Sequence, residues 1–331
     1  MKAIQMTKFG SAEVLNYVDV ADPVPGSDEI VIRVESAAVN FMDVMTRRGD
    51  EVVQPTPLPF TPGYEVAGVI AATGEGAHGM EIGTRVIAMT RRGYAEYAIA
   101  SANKVVPIPP GVDIDIAASL MSAGVAATLL VTESAKLMPG ESIFVPAAGG
   151  GMGSYVVQIA KAVGASPIIA GASTAEKRRA ALDMGADEAI DYRVSDWPNE
   201  VKRLTGGKGV DVALDMIGPA HLSTTATALA VFGRLIEYGA VSGYSGRVDG
   251  AVLESMMYAA GHSQSLINFN VADFFALRPA AAMEAMNRLL RWLANGSVAG
   301  PAIHALPLSD AARAHQLLES GSSIGKLILK P

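Results

Sequence analysis

Val145-Pro146-Ala147-Ala148-Gly149-Gly150-Gly151-Met152-Gly153 is the stretch that decides the fold. An apolar segment over residues 141–146 reads as a strand entering it. Residues 152–163 read as a helix leaving it, closed by Gly164. Gly150 and Gly153 occupy the second and third glycine places of a dinucleotide fingerprint, with Ala148 at the first. A tight turn of this kind lets the main chain, Gly151 and Met152 included, approach a pyrophosphate. The helix start adds partial positive charge. The other reading is a turn that only packs helix on sheet. Its place between strand and helix favours the binding one.

Outward from the turn, strands and helices alternate. Strands are expected over residues 167–170, 189–191, 210–214 and 234–238, and helices over 174–184, 196–204 and 219–231. A sixth strand fits at 265–270. This alternation predicts an α/β fold with a doubly wound parallel sheet. About 20 residues past a fingerprint, an NAD site carries an Asp or Glu for the ribose 2′-hydroxyl. Here Ser173 stands in that region, followed by Lys177 and Arg178. Small residues leave room for a 2′-phosphate, Ser173 can donate to it and Lys177 can neutralise it. The pattern favours NADPH over NADH. Arg178 alone reads as part of a solvated helix face.

Residues 1 to about 110 have another texture. Short Val- and Ile-rich strands at 29–39, 66–72, 85–89 and 94–99 lie between Gly- and Pro-bearing turns. Residues 55–63 hold four prolines and read as loop, and 41–48 fits a short helix closed by Gly49. The tail carries a helix over 280–294, a second helix to about Glu319 capped by Ser309, and a last strand over 326–329.

A chain of 331 residues fits about two domains. Half of it is hydrophobic and 18% is charged, which excludes a disordered chain. The absence of cysteine removes disulfides, thiolate metal ligands and a catalytic thiol. A net charge of −7 gives no general attraction to nucleic acid or anionic lipid. The uncharged stretches at 116–132 and 143–160 are interrupted by glycine or proline and do not read as membrane spans. A soluble cytoplasmic protein is expected.

Further motifs complete the picture: Phe9-Gly10 with Glu13-Val14-Leu15, Ala38-Val39-Asn40, Leu58-Pro59-Phe60-Thr61-Pro62-Gly63, Val66-Ala67-Gly68-Val69-Ile70, Gly93-Tyr94-Ala95-Glu96-Tyr97 and Gly325-Lys326. With the glycine turn, they make essentially the whole chain resemble the medium-chain dehydrogenase/reductase superfamily. Within it, the chain resembles the zinc-free quinone oxidoreductases of the zeta-crystallin branch. The resemblance implies a GroES-like β-rich catalytic domain, residues 1–123 and 272–331, and a Rossmann NADPH-binding domain, residues 124–271, with the active site in the cleft. It also implies a homodimer paired through the strand near 265–270.

By the same resemblance, the zinc ligands of metal-dependent relatives correspond here to Asn40, Tyr64 and Ala123. Amide, phenol and methyl groups do not make an N/S zinc site, so zinc-free chemistry is expected. Asn40 is implied to lie beside the nicotinamide, with Asp43 one helical turn later on the same face. Tyr64 reads either as a substrate contact or proton donor, or as a phenol filling the vacated metal space. The tyrosines that many relatives carry at the positions of Phe60 and near Thr46 are absent. For the cofactor, the resemblance adds Tyr192 beside the adenine, the segment 239–243 with Gly239 and Val241, Phe269, and Lys326.

The leading expectation is an NADPH-dependent quinone oxidoreductase. Its alternatives are an enone or enoyl reductase, and a non-catalytic, crystallin-like NADPH-binding protein. The partners expected are a small quinone or conjugated carbonyl and a second copy of the chain, with neither nucleic acid nor membrane.

Overall fold

The computed structural model describes residues 1–50, 56–241, 243, 250–259 and 262–331. The chain forms two compact units, Met1–Ala123 with Pro301–Pro331, and Gly124–Gly300. Its strands in chain order are β1 Lys2–Gln5, β2 Asn16–Asp19, β3 Glu29–Ala38, β4 Glu65–Thr73, β5 Arg85–Met89, β6 Tyr97–Ser101 and β7 Val105–Pro107, then β8 Ile143–Val145, β9 Ile168–Gly171, β10 Glu188–Ile190, β11 Val210–Asp215, β12 Leu229–Glu237 and β13 Ser265–Asn268, and finally β14 Ile303–Pro307 and β15 Lys326–Lys330.

The first unit is β-rich. Its main sheet runs β14-β15-β3-β4-β5-β7, with β6 also paired to β3. β15 therefore inserts between β14 and β3, so strands β3 to β7 and the two strands of the tail share one sheet, while β1 pairs with β2. Ile30, Ile32 and Val34 on β3 bury their side chains with Val66 and Ile70 of β4 and Leu327 and Leu329 of β15. Apolar residues at alternate positions place one face of the sheet on this core. Met6, Val14 and Phe60 form a separate small cluster.

In the second unit all six strands are parallel, in the order β10-β9-β8-β11-β12-β13. Strand order reverses between β8 and β11, the switch point at which doubly wound sheets take their ligands. Phe144, Ile169, Val210, Ala213 and Leu235 pack with Trp197 and Val201 of the helix Trp197–Leu204.

Four differences from the sequence expectations have local causes. The helix expected to Val231 ends at Ala226, because Leu229 is drawn into register with Val210 and begins β12. Tyr94 lies ahead of β6 rather than within it, its carbonyl accepting from the Ile4 N–H of β1 at 2.8 Å. Asp310, not Ser309, precedes the helix Ala311–Glu319, because a turn of 3-10 helix over Leu308–Asp310 first buries Leu308. Residues 272–300, expected with the first unit, belong to the second. Ala282, Ala285, Met286 and Leu289 form the buried stripe of the helix Pro279–Ala294, which packs on the helix Ala126–Leu129. Among the described residues no helix is long and apolar enough to cross a membrane.

Candidate functional site

In the first unit, Asn40 ends the extended segment after β3 and caps the helix Phe41–Arg48. Three stretches far apart in sequence meet at its side chain. The Lys326 ammonium donates to its Oδ1, and its Nδ2 donates to Glu65 Oε2 at 3.5 Å. The other Glu65 oxygen accepts the N–H groups of Met121 at 2.6 Å and Ser122 at 3.1 Å. These bonds fix which face of the Asn40 amide is oxygen and which is nitrogen.

Asp43 lies beside this group and is fully buried. Its Oδ2 accepts the Asn40 N–H at 2.8 Å and its Oδ1 accepts the Gly63 N–H at 3.1 Å. Burial pushes Asp43 up to about 7, against the bonds from Asn40 and Gly63 and the charge of Lys326. Burial raises Glu65 as well, opposed chiefly by Lys326. The Lys326 ammonium is itself lowered by burial, and the two carboxylates pull it back. One cation between two buried acids satisfies charges that would otherwise stand desolvated.

Tyr64 follows Gly63 and is half-buried, with its hydroxyl 2.8 Å from the Thr46 hydroxyl of the helix after Asn40. Gly63 has φ +104°, and a Cβ there would meet the Tyr94 backbone N at 2.6 Å. Only glycine fits this close approach.

The second unit gathers the cofactor candidates at the carboxyl ends of its strands. The turn after β8 passes through Ala147 and Ala148, and the Ala148 N–H binds the Gly171 carbonyl at the end of β9. Gly150 precedes the helix Gly151–Ala162, whose first bond runs from the Ser154 N–H to the Gly150 carbonyl. The N–H groups of Gly151, Met152 and Gly153 come before that bond and are the donors a helix start offers to an anion. At Gly153 a Cβ would meet the Ala147 carbonyl oxygen at 2.4 Å. The turn thus closes tightly on the helix, the packing task of the third fingerprint glycine.

Lys177 joins this turn, since a Cβ on Gly149 would lie 2.9 Å from the Lys177 Cβ. Burial lowers its ammonium. Ser173 is half-buried two residues beyond Gly171, just ahead of Thr174, which caps the helix Ala175–Asp183. Arg178 is held by the Ala172 carbonyl at 3.1 Å and Asp191 at 3.2 Å, so it is a tether between two strand ends and not a solvated charge. Tyr192 stands near the same place, 3.1 Å from where a Gly171 Cβ would be. After β12, Gly239 donates its N–H to Glu237 at 3.2 Å and Val241 to the Met216 carbonyl at 3.1 Å. Phe269 directly follows β13 and packs on Phe274. Of the segment 239–243, Ser242 lies outside the described residues, as do residues 51–55.

The sequence alone assigned no role to Glu65, Thr46, Tyr94, Arg47 and His315. An acid opening the otherwise apolar β4 was the available signal for Glu65. Nor did the sequence assign one to Asp215 at the end of β11, which accepts from the N–H groups of Ile217 and Gly218 and from the Thr225 hydroxyl at 2.6 Å. Burial alone would raise Asp215, but bonds from His221 and Thr225 bring it below the usual carboxylate range. His221 stacks on Trp197, Trp197 stacks on Phe144, and the Tyr192 ring meets His221 edge-on.

Residues 26–110 match the alcohol dehydrogenase GroES-like domain family, and residues 151–287 match the zinc-binding dehydrogenase family. The chain is 32% identical to the quinone oxidoreductase of Sus scrofa over 333 residues, covering 99% of this chain and 97% of the pig protein. It superposes on the Escherichia coli quinone oxidoreductase complexed with NADPH with a TM-score of 0.90 at 29% identity, covering 100% of both chains. A mycobacterial structure, also complexed with NADPH, matches with a TM-score of 0.89 at 32% identity over 100% of both chains. The zinc in the family description does not fit the donors present. The chain has no cysteine, and among the described residues no group of three or more His, Asp or Glu is placed to hold a metal ion.

Proposed function

This chain belongs to the quinone oxidoreductase family of medium-chain dehydrogenases/reductases, and from that premise we propose that it reduces a quinone with NADPH, without zinc. The observation that carries this reading is the Asn40 amide. By resemblance it corresponds to a zinc ligand of metal-dependent relatives, and it is oriented by Lys326 and Glu65 in a chain that also carries the glycine turn.

Bound NADPH supplies a hydride from its nicotinamide. The N–H groups of Gly151, Met152 and Gly153 hold its pyrophosphate, and Ser173 with Lys177 receives the 2′-phosphate. Tyr192 flanks the adenosine end, and Gly239, Val241 and Phe269 line the approach to the nicotinamide. Asn40 keeps one Nδ2 proton beyond its bond to Glu65, and offers it to an acceptor oxygen. Lys326, first expected on the cofactor, acts through Asn40. Quinone reduction asks little of an acid, because a hydroquinone anion is stabilised and takes protons from water.

The Tyr64 hydroxyl, joined to Thr46, favours a second reading. A phenol held in place serves an enone, which needs a proton delivered as hydride arrives. The outer edge of β13, with Ser265, Leu266 and Asn268 exposed, suits pairing with a second copy. The lack of cysteine is consistent with a cytoplasmic setting.

Loss of nicotinamide absorbance, followed with quinones, an enone and chelator present, tests the reading. Turnover of quinone by NADPH that resists chelator supports it. NADPH binding without quinone turnover rejects it. Turnover of the enone alone transfers the role to Tyr64, and no turnover at all leaves the non-catalytic alternative. In Asn40→Ala, loss of one hydrogen bond to a developing charge is expected to lower kcat by about ten- to a hundredfold, equivalent to roughly 1.5–3 kcal/mol, with NADPH affinity unchanged.

A further inference from the structure

Behind Asp43 lie three polar side chains that the proposed reaction does not use. Arg47, Tyr94 and His315 are each at most 1% exposed. Arg47 is anchored by both Glu319 oxygens, at 2.8 and 2.7 Å, and by the Gly10 carbonyl at 3.1 Å. Its Nη1 also faces His315 Nδ1 at 3.5 Å. On the other side of the imidazole, His315 Nε2 lies 3.2 Å from the Tyr94 hydroxyl. That hydroxyl in turn bonds to the Asp43 carboxylate.

The direction of every bond in this chain is determined. A guanidinium only donates, so His315 Nδ1 accepts. The proton of a neutral imidazole then sits on Nε2 and is donated to the Tyr94 oxygen. The phenol proton is left for Asp43. His315 stays neutral because burial, and then the Arg47 charge, holds it down to about 3. The chain is therefore a set of fixed dipoles pointing at Asp43, not a path along which a proton moves.

We propose that Tyr94 and His315 are positioning residues, whose hydrogen-bond chain from Arg47 ends on Asp43 and holds that carboxylate on the main-chain N–H groups of Asn40 and Gly63. Asp43 then acts as a splint. One oxygen fixes the segment that carries Asn40, and the other fixes the segment that leads into Tyr64. Tyr94 also packs directly on Gly63, so loss of its contacts loosens the same segment from a second side. The inference rests on the reading of Asn40 and Tyr64 as the groups that meet the acceptor. The charged and titratable groups around Asp43 are Lys326 of β15 with Glu65 of β4, Tyr94, Arg47 of its own helix, and His315 and Glu319 of the helix Ala311–Glu319.

The test compares Tyr94→Phe, His315→Leu and His315→Gln with the unaltered protein. Tyr94→Phe removes only the hydroxyl, and thermal unfolding checks that each variant is folded. Carboxyl-carbon NMR titration, with Asp43→Asn to identify the signal, reads Asp43 without any acceptor or cofactor. Its midpoint is expected to rise in Tyr94→Phe by about one pH unit, a tenfold change in ionisation constant. Ring-nitrogen NMR is expected to place the His315 proton on Nε2. In turnover, the acidic limb of the kcat profile moves to higher pH in Tyr94→Phe and His315→Leu. In His315→Gln it returns toward the original position, since an amide can accept from Arg47 and donate to Tyr94. KM for NADPH stays constant. An unmoved Asp43 midpoint in Tyr94→Phe, or a His315 proton on Nδ1, overturns the proposal. If the unaltered protein reduces no acceptor, the functional reading fails, while the two NMR measurements still decide this one.

Discussion

The candidate residues of the two units are held by opposite means. Around the glycine turn, the working groups are main-chain amides, brought forward by the absence of side chains and supplied by residues adjacent in sequence. Around Asn40, the working groups are side chains. Asp43, Glu65 and Lys326 are buried charges from separate stretches, each made tolerable by the others. A main-chain site is disturbed by adding atoms, whereas a buried ionic site is disturbed by removing them. The contrast teaches that similar-looking substitutions should fail for different reasons in the two units.

The sharpest way to break this contrast is Glu65→Ala. It leaves Lys326 without its nearest counter-charge and two N–H groups without an acceptor. A loss of about 3–5 kcal/mol is expected in urea unfolding, with turnover abolished. Unchanged stability would mean that the cluster does not hold the first unit together. Adding a methyl in Gly153→Ala probes the opposite half. The clash with the Ala147 carbonyl should cost about 1–3 kcal/mol and weaken NADPH binding measured by calorimetry, leaving the Asn40 cluster untouched. Normal NADPH affinity in that variant would sink the role given to the turn.

A smaller effect sharpens the cofactor assignment. Ser173→Asp sets a carboxylate against the 2′-phosphate and should weaken NADPH by about tenfold, near 1.4 kcal/mol, while NADH binding holds or improves. Equal losses for both cofactors would place the phosphate elsewhere.

The pH dependence of stability comes next. Asp43 has a folded pKa raised from 3.8 to about 7, so the folded state keeps a proton that the unfolded state releases. Its contribution therefore falls as pH rises from about 4 to 7. Unfolding measured across that window should show a shallower fall in Asp43→Asn, and identical profiles would contradict the assignment. Glu319 has the reverse sign. Bonds from Arg47, with help from Arg48, lower it to about 2, so its contribution is lost as pH drops from about 4.5 through 2. The least effect on stability is expected in Arg193→Ala, where an exposed guanidinium pairs with Asp191 and water readily takes its place.

The same contrast explains what was legible in the sequence. The doubly wound unit could be read because each strand, glycine and helix cap signals within ten residues of itself. The β12 start was misplaced because its cause, pairing with Val210, lies on another strand. Asn40, Asp43 and Tyr64 could be named through resemblance, but their surroundings could not. Glu65 finds its partners at 40, 121–122 and 326, and His315 finds its own at 47 and 94. Such pairs are set by tertiary structure, which no local pattern encodes. Thr46 illustrates the point. It drew notice for lacking a tyrosine hydroxyl, yet it places its own beside the phenol of Tyr64.

β15 lies inside the first sheet, between β14 and β3. During synthesis, residues 124–300 are available before β14 and β15 exist. The dinucleotide unit can close early, while the Ala37–Ala38 end of β3 waits for its β15 partner and Asp43 and Glu65 wait without Lys326. For that interval the acids have no cation and remain in water or protonated. The newborn chain thus gains its nucleotide fold first and its charged cluster last. A chain stopped at Gly300 should accordingly bind NADPH while failing to protect the Val39 amide, whose acceptor is the Leu327 carbonyl, from hydrogen exchange.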